Sequence, residues 1–236
     1  MGFSAWGLGL TALIAVYLVA VEPWWGKRTY KNLERVRDAD PRALTRMFGQ
    51  GIAVWWILAG VAVSAVLVSP GVGAKELGLV PIDGEWDTLA GAVVGMAIAM
   101  AVVALLTRKT SGALTPGQKA ASALLPRTTR ERWWGAGASV TAGICEELVF
   151  RGLFIAVGVG AGLAPVVAAG ISLVVFVLVH LYQGPKGMVF ITVVGAALTK
   201  VYLSTGSLFV PIILHILLDL CSLSLAPARR EEVTAR

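Results

Sequence analysis

The chain has 236 residues, 57% of them hydrophobic and 14% charged, with a formal net charge of +6. A soluble domain carries about 25% charged residues. With a mean hydropathy of +0.78, a water-surrounded fold of this length would have more apolar side chain than it could bury, so the surrounding solvent is lipid. The basic excess lies in loops between apolar runs and reads as topogenic charge, which leaves no case for nucleic acid as a partner.

About 20 helical residues cross a hydrocarbon core of about 30 Å. Apolar runs at 3–21, 51–68, 88–106, 135–163, 164–181, 187–203 and 207–225 predict an all-α, polytopic transmembrane helical bundle of about seven spans. The first run has no basic residue before it and is too long for a signal-peptide core, so a retained helix is expected. It should end at Glu22-Pro23-Trp24-Trp25, where the tryptophans read as interfacial anchors. Asp40-Pro41 has the form of an N-cap followed by proline at N1. Leu44, Met47 and Phe48 then give an apolar face, which predicts a helix lying on the membrane surface, and 118–125 reads similarly.

The fourth run is long, and its glycines from Gly158 to Gly162 predict a turn before Pro165. Proline there suits the first turn of the next helix, and Pro211 has the same place in the last span. Loop 22–50 is rich in basic residues, as is loop 107–134, whereas loop 69–87 has Lys75 against Glu76, Asp83, Glu85 and Asp87. Lys186 and the tail, with Arg229, Arg230 and Arg236, fall on the basic side. This alternation predicts the N-terminus outside and the C-terminus in the cytoplasm. Cys145 and Cys221 lie in apolar runs without a spacing partner, so no disulfide framework or zinc ribbon is indicated.

Function is sought where polarity is expensive, since a charge near the bilayer centre costs about 2.5–3.5 kcal/mol on insertion scales. Glu147 and Arg151 are four apart in the favourable acid-first order and predict an internal ion pair. Glu146 is turned about 100° from Glu147 and has no such partner in its own helix. A buried, unpaired carboxyl is a candidate proton acceptor or donor. His180 closes the next apolar run, with Phe176 one turn earlier as packing. In the last run His215 and Asp219 share a face, so Asp219 could accept from the ring and set its tautomer. Both histidines of the chain thus fall within spans. The summed insertion cost of Glu146, Glu147, Arg151 and Asp219 is on the order of 10 kcal/mol before pairing. Lys200 is expected to snorkel, and Gly91/Gly95 and Gly158/Gly162 have helix-packing spacing.

Glu-Glu-x-x-x-Arg at 146–151, Phe-x-x-x-His at 176–180 and His-x-x-x-Asp at 215–219, in that order on three apolar runs, resemble the CPBP family. These are the CAAX-protease and bacteriocin-processing (Abi) intramembrane proteases. The stretch Pro126-Arg127-Thr128-Thr129-Arg130-Glu131-Arg132 is similar to the family's pattern ahead of the first motif. The resemblance divides the chain into three N-terminal spans (1–125), a catalytic core (126–225) and a cytoplasmic tail (226–236).

The resemblance implies an endopeptidase in which Glu146 and His180 activate water. It also implies that His215 and Asp219 stabilise the oxyanion, with Glu147, Arg151 and Phe176 in support. Many family members carry asparagine where this chain has Asp219; an amide can donate to an oxyanion, whereas an ionised carboxylate cannot. Asp219 is therefore protonated, orients His215, or helps to hold a metal. Glu146, His180 and His215 would make a zinc set with one open position, yet metal-independent chemistry is the favoured reading. The implied substrate is a membrane-anchored protein or peptide: a lipidated CAAX protein, a leader peptide or a C-terminal sorting signal. A prokaryotic cell membrane is the expected location. A non-catalytic scaffold or bacteriocin-immunity partner is the alternative, followed by a proton-coupled transporter, for which no repeated halves are evident.

Overall fold

The computed structural model describes residues 2–81 and 122–224, with Asp87, Ala90, Gly91, Val94 and Gly95 between them. Most of the expected third span, most of the loop after it and the tail 226–236 lie outside the described residues. Among the described residues every regular element is helical. Three of the helical stretches, Ala5–Val36, Ala43–Leu67 and Gly187–Thr205, are long and apolar enough to cross a membrane. Pro165–Val179 and Phe209–Leu223 are apolar but shorter.

Helix α1 (Ala5–Val16) starts at Ser4, whose side chain caps the Gly7 amide. It runs through a π-helical turn, Tyr17–Val21, into α2 (Glu22–Val36). The expectation that this helix ends at Glu22-Pro23 is therefore corrected. Proline in the first turn of α2 gives up an N–H that the new turn would not use, and the wider π turn ahead of it absorbs the change of register. Composition marks where lipid contact stops, but the helix goes on because α2 is amphipathic. Gly26, Tyr30, Leu33 and Arg37 face inward and are buried.

A second correction concerns residues 40–50. Asp40 Oδ1 accepts from the Arg42 amide at 2.8 Å, and α3 (Ala43–Leu67) then continues without a break through the second apolar run. Leu44 and Phe48 do not lie on a membrane surface. They are buried with Leu33 and Ala43 in a small core of their own, which Leu124 and Ala138 flank. Of the similar stretch at 118–125, the described part holds a short 3-10 turn, Ser122–Leu124.

Helix α4 (Thr129–Glu147) begins in a capping box, with Thr128 Oγ1 accepting from the Glu131 amide and Glu131 reaching back to the Thr128 amide. Glu131 also takes a two-pronged ion pair from Arg37, at 2.7 and 2.8 Å, both residues being buried. This clasp ties the end of α2 to the start of α4. A π-helical segment, Leu148–Phe154, follows α4 and leads into α5 (Ile155–Gly160). The expected turn follows, with Gly162 at φ +92° and Pro165 in the first turn of α6 (Pro165–Val179). After a 3-10 turn, Leu181–Gln183, come α7 (Gly184–Thr205) and α8 (Phe209–Ser224). Pro211 sits in the first turn of α8, as expected.

Helix α4 packs between α3 and α8. The approach to α8 depends on Gly143, where a methyl group would stand 3.0 Å from the Ile216 nitrogen and 3.2 Å from the Ile212 oxygen. One turn further along α4 lies Glu147, and beside that crossing on α8 lies His215. The absence of a side chain at residue 143 thus brings the polar residues of two helices within reach of each other.

Candidate active site

Glu147 is the hub of the buried polar cluster. Its Oε1 accepts from Arg151 Nη1 at 2.8 Å, the i, i+4 ion pair that the spacing predicts, and lies 2.7 Å from His215 Nδ1. Arg151 uses its remaining donors on helix α7, with Nε donating to Thr199 Oγ1 at 3.3 Å and Nη2 to the Gly195 carbonyl at 3.0 Å. The face of its guanidinium lies over the Phe176 ring, 4.5 Å from the centroid. Arg151 is 1% exposed and Glu147 0%, so each charge depends on the other for its place in the interior.

Gly195 has two roles here. It supplies a carbonyl to Arg151, and a methyl group on it would stand 2.9 Å from the Phe176 ring. Neither Gly195 nor Thr199 stands out in the sequence, because a glycine and a threonine in an apolar helix look like ordinary packing residues. The π-helical segment adds a third device. Within it the Phe150 carbonyl accepts from Ser172 Oγ on α6 at 2.6 Å, which ties the segment to that helix.

His180 ends α6. Its Nδ1 lies 2.8 Å from the Phe176 carbonyl. A carbonyl can only accept, so Nδ1 carries the proton, and in the neutral ring Nε2 is left as an acceptor. Phe176 stands between the two histidines, 4.8 Å from the His180 ring and 6.5 Å from that of His215. Asp219 is set apart from the hydrogen-bonded cluster, since its Oδ2 stands 3.8 Å from His215 Nε2, too far for a hydrogen bond. The ring is held through the other nitrogen by Glu147, so the hydrogen-bond partner that the His215/Asp219 spacing suggests is replaced by one from another helix.

Glu146 takes no part in the hydrogen bonds of this cluster. Its Oε2 is buried and meets no hydrogen-bond partner among the described residues. It lines a cavity of about 200 Å³ together with His180 and Tyr182. The opposite wall comes from α2 and α3, through Glu22, Trp25, Gly26, Thr29 and Trp55 among others. Glu22, whose Oε2 accepts from Tyr17 at 2.8 Å, is a cavity residue that the sequence alone leaves among the interfacial charges. Tyr182 is stacked beside His180 at 6.1 Å and packs on Tyr30 of α2 at 5.5 Å, so the N-terminal helices help to shape the cavity.

Among the described residues no three His, Cys, Asp or Glu side chains come together as a group that could hold a metal ion. Glu146, His180 and His215 do not form a ligand set in this arrangement. Cys145 and Cys221 are free thiols.

Residues 128–221 match the family described as type II CAAX prenyl endopeptidase Rce1-like. This match supports a CPBP/CAAX intramembrane protease family. No curated protein and no solved structure matches it. The matched stretch starts at the Thr128 N-cap and ends two residues beyond Asp219, so it holds all three polar motifs and leaves out α1 to α3. A CAAX-protease family of this kind suggests protease activity, a membrane-associated substrate and a bilayer setting. With its apolar helices, the chain is an integral membrane protein.

Proposed function

We propose that this chain is a CPBP-family intramembrane endopeptidase that hydrolyses a peptide bond in a membrane-tethered protein or peptide, with Glu146 as general base. The observation that carries the reading is the contrast between adjacent carboxylates. Each has a buried Oε2 without a hydrogen-bond partner among the described residues, but Glu147 is held through Oε1 by Arg151 and His215, whereas Glu146 makes neither contact and lines a cavity that it shares with His180. A base must be free to take a proton, and a structural carboxylate must not be.

In this scheme a water in the cavity gives one hydrogen bond to Glu146 and another to Nε2 of His180. As the water oxygen bonds to the scissile carbonyl carbon, its proton passes to Glu146 and the carbonyl oxygen becomes an oxyanion. His215 faces that charge. Its Nδ1–H is committed to Glu147, so donation from Nε2 requires the imidazolium form, which Glu147 and Asp219 favour by charge. Asp219 therefore acts on His215 rather than on the substrate. When the tetrahedral intermediate collapses, the C–N bond breaks and Glu146 returns its proton to the leaving amine.

The substrate class follows from the setting. A site built from membrane helices meets chains that are anchored in or at the bilayer, whether lipidated CAAX-type proteins, leader peptides or sorting signals. The reading includes a seven-span bundle in a prokaryotic cell membrane, with the N-terminus outside and the C-terminus in the cytoplasm.

The test is a comparison of protein termini in host membranes carrying the wild-type chain or Glu146→Gln at matched abundance. Loss of a general base lowers turnover by about 10²–10⁴-fold, so termini made by the wild type should vanish in the variant. Identical termini in both would overturn the reading and favour a non-catalytic scaffold.

A further inference from the structure

The two faces of α2 have different fates. Its inner face, Gly26, Tyr30, Leu33 and Arg37, is buried in the protein. On the opposite side Trp24, Lys27, Arg28, Lys31 and Arg35 form one exposed stripe, spaced by three, four and seven residues, and with Asn32 they line an open groove of about 570 Å³. Arg28 stands over the Trp24 ring at 5.5 Å, and Arg35 donates to Asn32 Oδ1 at 2.8 Å. Among the described residues no carboxylate forms an ion pair with Lys27, Arg28, Lys31 or Arg35. Glu34, at the edge of the stripe, hydrogen-bonds Tyr30.

The stripe continues a lipid-facing surface. Val16 and Val19 on the same continuous helix are 61% and 47% exposed, and Trp24 is 62% exposed. Outward-facing apolar side chains thus give way, at an interfacial tryptophan, to outward-facing cations. A molecule that matches this succession carries acyl chains at one end and a negative charge at the other. Bare topogenic charge would call for basic residues anywhere in the loop; it would not collect them on one face over a groove with an aromatic at its membrane edge.

We propose that the outer face of α2 is a binding site for anionic phospholipid, with the headgroup phosphate held by Lys27, Arg28, Lys31 and Arg35 and the acyl chains lying against the exposed face of α1. The site lies on the opposite side of α2 from the Glu146 cavity and does not depend on which reaction the chain performs.

The test uses the full chain in neutral detergent and counts bound lipid by native mass spectrometry. The probes are short-chain phosphatidylglycerol, the matching phosphatidylcholine and inorganic phosphate. Phosphatidylglycerol adducts should form on the wild type in preference to phosphatidylcholine. They should weaken by about tenfold or more in the combined variant Lys27→Gln, Arg28→Gln, Lys31→Gln, Arg35→Gln, since each basic group near an anionic surface contributes separately. A charge-retaining exchange of lysine and arginine at the same four positions should keep them, which separates loss of charge from loss of fold. Lys75→Gln, on a different loop, should leave them unchanged. Equal phosphatidylglycerol binding by the neutralised variant would overturn the proposal, as would equal phosphatidylcholine binding by the wild type. Displacement of the lipid by inorganic phosphate at equal concentration would also overturn it, because the groove would then be a phosphate site without lipid character.

Discussion

Glu147 and His215 lie on different helices, and the 2.7 Å contact between Glu147 Oε1 and His215 Nδ1 joins the first and last polar motifs of the chain. The same oxygen also takes the Arg151 guanidinium. One carboxylate oxygen therefore fixes a helix-internal ion pair and the orientation of an imidazole on another helix, and it does so with no room for water between them.

Loss of Glu147 should accordingly be felt first in folding. Glu147→Gln leaves the Arg151 charge buried without its counter-ion, and breaking a buried pair from one side costs about 3–5 kcal/mol. The expected result is a marked fall in the amount of folded protein recovered from membranes and in its apparent Tm. Normal abundance and Tm combined with absent activity would instead give Glu147 the chemical role assigned above to Glu146.

Asp219 acts on His215 through charge across 3.8 Å. Asp219→Asn should therefore keep turnover within about tenfold of the wild type, equivalent to about 1.4 kcal/mol of transition-state stabilisation. Asp219→Ala removes the same charge and should lower turnover by a similar factor. Turnover rates of the two variants at equal folded concentration decide the point, and a folded but inactive asparagine variant would show that the carboxylate itself is required.

The Arg37–Glu131 clasp makes a prediction about acid. Burial alone would raise the Glu131 pKa, but Arg37 and the amides of Arg127 and Thr128 outweigh it and hold the carboxyl below its ordinary value of 4.5. A lowered pKa means that the contribution is fully present above the ordinary value and is lost as pH falls through the lowered one. Thermal unfolding of the wild type should thus lose stability below about pH 4.5, whereas Glu131→Gln should start lower and show a flatter profile over that range. Parallel profiles for the two proteins would remove Glu131 as the titrating group.

Metal removal tests the chemistry from another side. Glu146, His180 and His215 form no ligand group among the described residues. Activity should therefore survive exhaustive treatment with a chelator, followed by a check for residual zinc. If activity were abolished, and zinc alone brought it back, the base-catalysed scheme would be wrong.

Parts of this arrangement were legible from residue types and spacing. Glu147 and Arg151 stand one helical turn apart, and local geometry brings them together whatever the rest of the chain does. The isolation of Glu146 follows from the same periodicity. The pairing of Glu147 with His215 does not, because it depends on the register between α4 and α8, and that register is set by the close approach at Gly143. His215 and Asp219 share a face, but competition from a better-placed carboxylate on a neighbouring helix cannot be read from spacing. The continuation of α1 through Pro23 escaped for a different reason. The change from apolar to basic residues marks the edge of the lipid, and a helix whose inner face is buried by protein has no cause to stop there.

The cavity beside Glu146 has one more consequence. Each peptide bond cut by hydrolysis consumes a molecule of water, and hydrocarbon supplies almost none. A pocket of about 200 Å³ lined by Glu22, Thr29, Gln50, Thr141 and His180 as well as by tryptophan can hold a small reservoir and refill it. The rate at which the chain can work is then bounded by hydration as much as by bond chemistry. Substitutions that seal this pocket with apolar bulk should slow the reaction even where Glu146, His180 and His215 all stay in place.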